Sequence, residues 1–278
     1  MQLIEITTPA LAREFLEMPL RIYKDDPNYI RPLDQDIEKV FSPERNKFFK
    51  HGELIRWILR DDNGLAIGRV AAFINKSAQN FEQPTGGLGF FECINDRQAA
   101  GVLFDACKSW LQERGMEAMD GPINFGERNA WWGLLMEGFT PPSYNMNYNP
   151  KYYVELFESY GFQVYFNQYS YGLRVNDERP EKYYERSKAL LADPNYSFKH
   201  LRMEQLDKFT EDFRYIYNKA FVNSREGLKE MSSEQARNLM LAMKPVIVDY
   251  LIWYISIFTK DMMPPVQRIQ TFGAFVMA

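Results

Sequence analysis

A single carboxylate interrupts an apolar stretch near the middle of the chain. Glu92 lies in Phe90 to Ile94 (FFECI), a run of strand length that is otherwise aromatic and apolar. Two residues beyond that run, Asp96 precedes a helical pattern. Ala99, Ala100, Leu103, Ala106, Cys107, Trp110 and Leu111 recur on one face, and Arg97, Gln98, Asp105, Lys108, Gln112 and Glu113 fall on the other. The Asp96 carboxylate is predicted to cap this helix by accepting from the unpaired N–H groups of its first turn. A second group of polar side chains falls between residues 124 and 149. Asn124, Glu127, Arg128, Asn129, Asn145, Asn147, Tyr148 and Asn149 can hydrogen-bond, and Trp131, Trp132, Leu134, Leu135 and Met136 can anchor the segment. Loops longer than about 12–15 residues tend to be functional. This one is expected to form either a pocket for a ligand or acceptor substrate, or a lid that fills a cleft.

The remaining chemistry is narrow. There are two cysteines, Cys93 on the strand and Cys107 on the apolar helix face, and two histidines, His51 and His200. Their spacing matches no metal-ligand pattern, so no metal site is expected, and the cysteines read as small buried apolar residues rather than a disulfide. The 278 residues carry a formal net charge of −4, which argues against nucleic-acid binding, since that needs a basic surface. No run reaches the length of a membrane span, and the N-terminus lacks the layout of a secretion signal. A cytoplasmic protein with no membrane partner is expected.

These residues need a scaffold. Thr8-Pro9 predicts a capped helix start, and Leu33, Ile37 and Phe41 predict a short helix. Glu53 to Arg60 and Ala66 to Asn75 read as strands joined by a turn at Asp61-Asp62-Asn63-Gly64. Gly86 to Gly89 reads as a glycine-rich entry to the Glu92 strand, and Gly115 as the stop of the following helix. Glu117 to Ile123 is a further strand. Asn149-Pro150 is predicted to open a helix that Gly161 ends, followed by strand from Gln163 to Val175. A helix over Pro180 to Ala192 is expected as a connector. Later come strand at Phe198 to Met203, a helix through Leu206, Phe213 and Ala220, a capping box at Ser232 and Gln235, and strand from Val246 to Phe258.

Taken together, the stretches YKDDPNYIRPL (23–33), NKFFKHGE (46–53), IGRVAAFIN (67–75), GFFECIND (89–96), WLQERGM (110–116), GPINFGERNAWWGLLMEGF (121–139) and YNPKYYVELFESYGF (148–162) resemble a large group of bacterial GNAT-like proteins, which have the acyl-CoA N-acyltransferase fold. The resemblance implies an α/β (α+β) fold: a central mixed, mostly antiparallel twisted sheet flanked by helices, followed by a partial second GNAT-like domain. It implies acyl transfer from acyl-CoA to a primary amine of a small molecule or peptide, with Glu92 as general base. The family's acid tyrosine would fall at Phe157 or Leu156, which cannot donate a proton; Tyr152 and Tyr153, a turn earlier, are the substitutes. The family's phosphate-binding turn corresponds to Ile94, Asn95, Arg97 and Gln98, yet the glycines that let a pyrophosphate approach are missing and Asp96 places a negative charge there. The cofactor site of the first domain is therefore expected to be degenerate. A non-catalytic ligand-binding or interaction module that kept the fold is the alternative.

On this reading residues 1–178 form the first domain, 179–196 a connecting helix, and 197–278 a truncated second domain. The resemblance fades after about Tyr254, so the residues from about Ser256 are expected not to be the family's natural continuation. A half-domain would expose an apolar sheet edge, through which a homodimer could form.

Overall fold

The computed structural model describes residues 1–76, 83–127, 130–172, 178–197, 202–222, 230–243 and 267–277. They fall into two compact units: residues 1–172 with 267–278, and residues 173–266.

In the first unit the strands are β1 (Gln2–Glu5), β2 (Gly52–Arg60), β3 (Ala66–Asn75), β4 (Thr85–Cys93), β5 (Ala118–Gly121), β6 (Leu134–Glu137), β7 (Gln163–Gly172) and β8 (Gln267–Met277). They form one sheet of order β1-β2-β3-β4-β5-β8-β6, with β7 also paired to β8. Every pairing is antiparallel except β4 with β5. The mixed, mostly antiparallel sheet flanked by helices is thus present. The strand from Gln267 onward lies in this sheet, between β5 and β6, and pairs with β7 along its length.

The helices of this unit are α1 (Pro9–Glu17), α2 (Pro19–Ile22), α3 (Asp34–Val40), α4 (Arg97–Gln112) and α5 (Tyr153–Tyr160). Both sheet faces are covered, which explains why β3 is apolar almost throughout. Val70, Ala72 and Ile74 pack with Leu103, Phe104, Cys107, Leu156 and Phe157 of α4 and α5. Phe73 points the other way, with Leu16, Ile37, Phe125, Trp131 and Trp132. The second unit contains α6 (Glu181–Ala192), α7 (Leu206–Phe221) and α8 (Ser233–Ala242), the last opened by the expected Ser232–Gln235 capping box. The strand expected at Val246 to Phe258 and residues 198–201 of the one expected near Phe198 lie outside the described residues. Met203–Gln205 is a single 3-10 turn. No described helix is long and apolar enough to cross a membrane.

Two local expectations are corrected. The glycines at 86, 87 and 89 are not an entry loop but part of β4. They are small because neighbours occupy the space of a side chain: a Cβ on Gly89 would lie 2.0 Å from the Ile123 carbonyl oxygen, and one on Gly87 2.3 Å from the Phe73 ring. Asn149 is not the cap of α5, whose preceding residue is Tyr152. Its side chain instead pairs with a strand, accepting from Leu135 N–H at 2.7 Å and donating to the Leu135 carbonyl at 3.1 Å.

The close approach at Gly89 can be tested against Gly101, which sits inside α4 with nothing within 4 Å of the place a methyl group would take. Gly89→Ala should destabilise the fold by about 3 kcal/mol or more, because backbone and not a pliable side chain blocks the methyl. Gly101→Ala should stabilise it by about 0.5–1 kcal/mol through helix propensity. Urea unfolding of the two variants measures both, and similar effects from the two would contradict the packing described.

Candidate active site

Glu92 sits near the end of β4, directly across the ladder from Arg69 of β3. Both are buried, at 9 % and 4 % exposure. Arg69 Nη2 lies 3.5 Å from Glu92 Oε1, and Arg69 Nη1 donates to the Phe15 carbonyl at 2.5 Å. The guanidinium also lies over the Phe15 ring, 4.7 Å from its centroid. Two tyrosines complete the carboxylate's surroundings. Tyr23, just after α2, and Tyr153, at the start of α5, each donate to Glu92 Oε2 at 2.8 Å. Tyr23 also lies 3.0 Å from the Tyr148 carbonyl, and Tyr153 accepts from Cys93 N–H at 2.8 Å. Oε2 is therefore fully engaged, while among the described residues Oε1 has only the longer Arg69 contact.

Burial pushes the Glu92 carboxyl above its ordinary value, against the opposing pull of Arg69 and of the Tyr153 and Tyr23 hydrogen bonds. Burial first, and then the charge of Glu92, hold Tyr23 and Tyr153 far above the usual tyrosine range, so both stay protonated donors.

A cleft opens beside this cluster because β4 leaves its neighbour. The parallel ladder with β5 covers only Thr85 to Gly87 opposite Ala118 to Asp120, followed by a bond from Ile123 N–H to the Leu88 carbonyl at 2.8 Å. Gly89 and Glu92 face Ala71 and Arg69 on β3, so two residues of β4 oppose one of β3. This is a bulge, which bends a strand and re-aims its side chains; Phe90 within it has φ +51°. The cleft is narrow, with a cavity volume of about 60 Å³, and is partly open to solvent. Glu92, Arg69 and Tyr153 line it, with Phe90, Trp131 and Tyr148 among the surrounding side chains. Tyr29, also in its wall, stacks on Tyr23 with ring centroids 4.0 Å apart. Two lining residues each bury a donor, Arg69 Nε and Trp131 Nε1, that has no hydrogen-bond partner among the described residues, a condition that costs about 1–3 kcal/mol per group.

The expected site residues divide into those at the cleft and those away from it. Glu92, Tyr153, Tyr148 and Asn149 are at the cleft. Tyr152 is adjacent: its hydroxyl donates to the Cys93 carbonyl at 2.7 Å. Asn124 does not line it; its Oδ1 is buried with no partner among the described residues. Glu127 is exposed and pairs with Lys47 at 2.7 Å. Asn129 and Arg128 lie outside the described residues. The turn residues are committed elsewhere. Asp96 Oδ1 accepts from Gln98 N–H at 2.7 Å and Ala99 N–H at 3.0 Å. Arg97 is ion-paired to Glu155, Ile94 is exposed, and Asn95 does not line the cleft. The amides that would hold a pyrophosphate at this helix start are satisfied by the protein itself, so the described residues here do not fit that group. Among the described residues no cluster of His, Cys, Asp or Glu is arranged to hold a metal. Reasoning from sequence missed Arg69, Tyr23, Tyr29 and the two unpartnered donors. A charge inside the apolar run IGRVAAFIN was the available signal for Arg69, because a buried charge needs a partner.

The raised carboxyl carries a signed pH dependence. In the unfolded chain Glu92 loses its proton near 4.5, and in the folded chain at higher pH. Its contribution to stability is complete below 4.5 and is lost as pH rises through the folded value. Glu92→Gln resembles the protonated form and lacks this slope. The stability of the variant relative to the natural chain should rise between about pH 4 and about pH 8, measured by denaturant unfolding. A difference that does not vary with pH would contradict the assignment.

No family model matches the chain. It is 30% identical over 263 residues to the bacterial ceramide synthase of Caulobacter vibrioides, covering 92% of this chain and 67% of that protein. It is 31% identical over 152 residues to protein YghO of Escherichia coli K12, covering 54% of this chain and 38% of that one. The chain thus spans about two thirds of the first relative and well under half of the second. In structure it is similar to GCN5-related N-acetyltransferases, among them the glucosamine N-acetyltransferase region of a fungal multi-domain β-N-acetylglucosaminidase, with a TM-score of 0.49 at 14% identity over 80% of this chain and 23% of that one. On the extent and identity of the first match, the chain belongs to the same family as the bacterial ceramide synthase of Caulobacter vibrioides.

Proposed function

We propose that this chain is an amide-forming N-acyltransferase that moves an acyl group from a thioester to the amine of a long-chain acceptor, with Glu92 receiving the amine's proton. The observation that carries this reading is the geometry of Glu92. Its Oε2 is fixed by two tyrosines while Oε1 stays only loosely engaged at the wall of an apolar cleft. An amine must be neutral to attack a carbonyl carbon, and a positioned carboxylate of raised pKa is suited to take its proton. The C–N bond forms, the C–S bond breaks, and the amine proton passes to Glu92 Oε1. Tyr153 and Tyr152 both have their protons committed, to Glu92 and to the Cys93 carbonyl, so we assign protonation of the leaving thiolate to the proton that Glu92 has received from the amine. Membership of a family whose relative is a ceramide synthase supports an amide product and a long-chain acceptor. We read the second unit as the beginning of a second domain of the same kind.

One observation favours a second reading for the first unit, a pocket without a coenzyme A site of its own. Asp96 already occupies the start of α4 with its carboxylate, and an anion brought there meets a like charge as well as missing donors.

Mass spectrometry of the amide formed from an acyl-CoA and a long-chain primary amine tests the first reading. Glu92→Gln should lower the rate by about 10²–10⁴, the usual worth of a positioned base; a rate within a factor of two of the natural chain would remove Glu92 from the chemistry. Titration calorimetry tests the second. Coenzyme A should not bind the start of α4, whereas Asp96→Gly, which costs the helix only a few tenths of a kcal/mol relative to a capping side chain, should gain affinity there. Equal binding by both would show that the carboxylate is no barrier.

A further inference from the structure

We infer that the Tyr29 hydroxyl is the oxyanion donor of the cleft: it gives a hydrogen bond to the thioester carbonyl oxygen as the amine attacks. This rests on the acyl-transfer reading given above and adds to it a residue that reading does not use.

Five tyrosines stand in or beside the cleft, and four have their protons committed. Tyr23 and Tyr153 donate to Glu92 Oε2, Tyr152 to the Cys93 carbonyl, and Tyr148 to Asp26 Oδ2 at 2.8 Å. Tyr29 lines the same cleft as Glu92, and among the described residues its hydroxyl has no hydrogen-bond partner. Tyr29 is half-buried, and its oxygen is not one of the sealed, unpartnered polar atoms, which include Arg69 Nε and Trp131 Nε1. It therefore keeps accessible surface. Burial first, and then the charge of Glu92, hold this hydroxyl above the usual tyrosine range, so it is a donor and not a base. The adjacent backbone offers no ready substitute at Cys93, whose N–H is taken by the Tyr153 oxygen at 2.8 Å.

The ring is fixed before any reaction begins. It stacks on Tyr23 with the planes 6° apart, and Tyr23 is itself bonded to the Glu92 carboxylate. The turn that carries it is pinned as well. Tyr29 N–H donates to the Asp26 carbonyl at 3.3 Å, Asn28 N–H to Asp26 Oδ1 at 2.9 Å, and the Asn28 side chain to the Phe139 carbonyl at 3.0 Å. A donor held in place stabilises developing charge without reorganising as it forms. In the reaction the amine nitrogen bonds to the thioester carbon, and the second electron pair of the carbonyl moves onto its oxygen. Tyr29 keeps its own proton and shares it with that oxygen. The pair then re-forms the carbonyl as the C–S bond breaks and its electrons leave on sulfur. The amine's proton travels through Glu92 to the sulfur, so nothing is left uncompensated.

Tyr29→Phe keeps the ring on Tyr23 and removes only the hydroxyl. Amide formation from dodecylamine is followed with two dodecanoyl thioesters, one of N-acetylcysteamine and one of thiophenol, whose thiolate leaves without needing a proton. Tyr29→Phe should lower kcat by about 10² with both thioesters, the worth of one oxyanion donor. KM for the amine should stay within a factor of two, because the bond strengthens only in the transition state. The urea midpoint should match that of the natural chain, since no described group holds the hydroxyl. A kcat within a factor of two of the natural chain would overturn the inference. So would a loss confined to the N-acetylcysteamine ester, which would make Tyr29 the acid of the leaving group, or a rise in KM alone, which would make it a binding group. A lowered midpoint would show that the protein already engages the hydroxyl and would overturn it too. Each of these leaves the acyl-transfer reading standing. No amide from the natural chain with either thioester would overturn both.

Discussion

The pairing of Glu92 with Arg69 is the interaction on which the rest of this unit depends. Two ionisable side chains face each other across adjacent central strands and are buried. Taking both out of water is costly, and attraction between them offsets that cost only when further hydrogen bonds complete each group. The fold supplies those bonds from elements far apart in sequence. Tyr23 brings the segment after α2 to the carboxylate, Tyr153 brings α5, and the Phe15 carbonyl at the end of α1 receives the guanidinium. Elements that could pack against the sheet in several ways are thereby tied to one point on it. The same arrangement leaves one oxygen of a cleft-lining carboxylate with only the longer Arg69 contact among the described residues, so the demand for electrostatic balance and the candidate chemistry meet at the same side chain.

That point is accessible because the central strands separate. The glycines of β4 allow β3 and the segment after β5 to press close below the site, and the bulge at Phe90 then turns the strand out of register. Beyond it, the segment from Pro122 to Asn149 closes the far wall. Its described residues are ordered by the short strand β6 and by specific bonds: Asn149 pairs with Leu135 through its side chain as a peptide would, and Asn147 donates to the Gly133 carbonyl at 2.5 Å. Burying amide side chains in this way satisfies backbone groups that a missing strand would otherwise have paired.

Much of the scaffold was legible in the sequence because it obeys local rules. The helix from Arg97 follows from periodicity and from the Asp96 cap, and the β2–β3 hairpin from two apolar runs around a turn. Glu92 was visible as a charge in an apolar strand. Its partners were not, because Tyr23 and Tyr153 lie 69 and 61 residues away and no spacing rule links them. Asn149 was misread for a related reason. Asn before Pro carries the signature of a helix start, but here a long-range strand pairing claims the side chain. The glycines of β4 were misread as a loop because their cause, crowding by Phe73 and Ile123, is tertiary.

If Glu92 Oε1 is where the acceptor amine sits, a crystal structure of the chain with a long-chain primary amine tests that placement most directly. The nitrogen should lie within hydrogen-bond distance of Glu92 Oε1, at about 2.7–3.2 Å, with the alkyl chain along Phe90 and Trp131 and the tyrosine bonds to Oε2 unchanged. An amine bound with its nitrogen away from Glu92, or a carboxylate that turns from Tyr23 and Tyr153 to reach it, would contradict the placement.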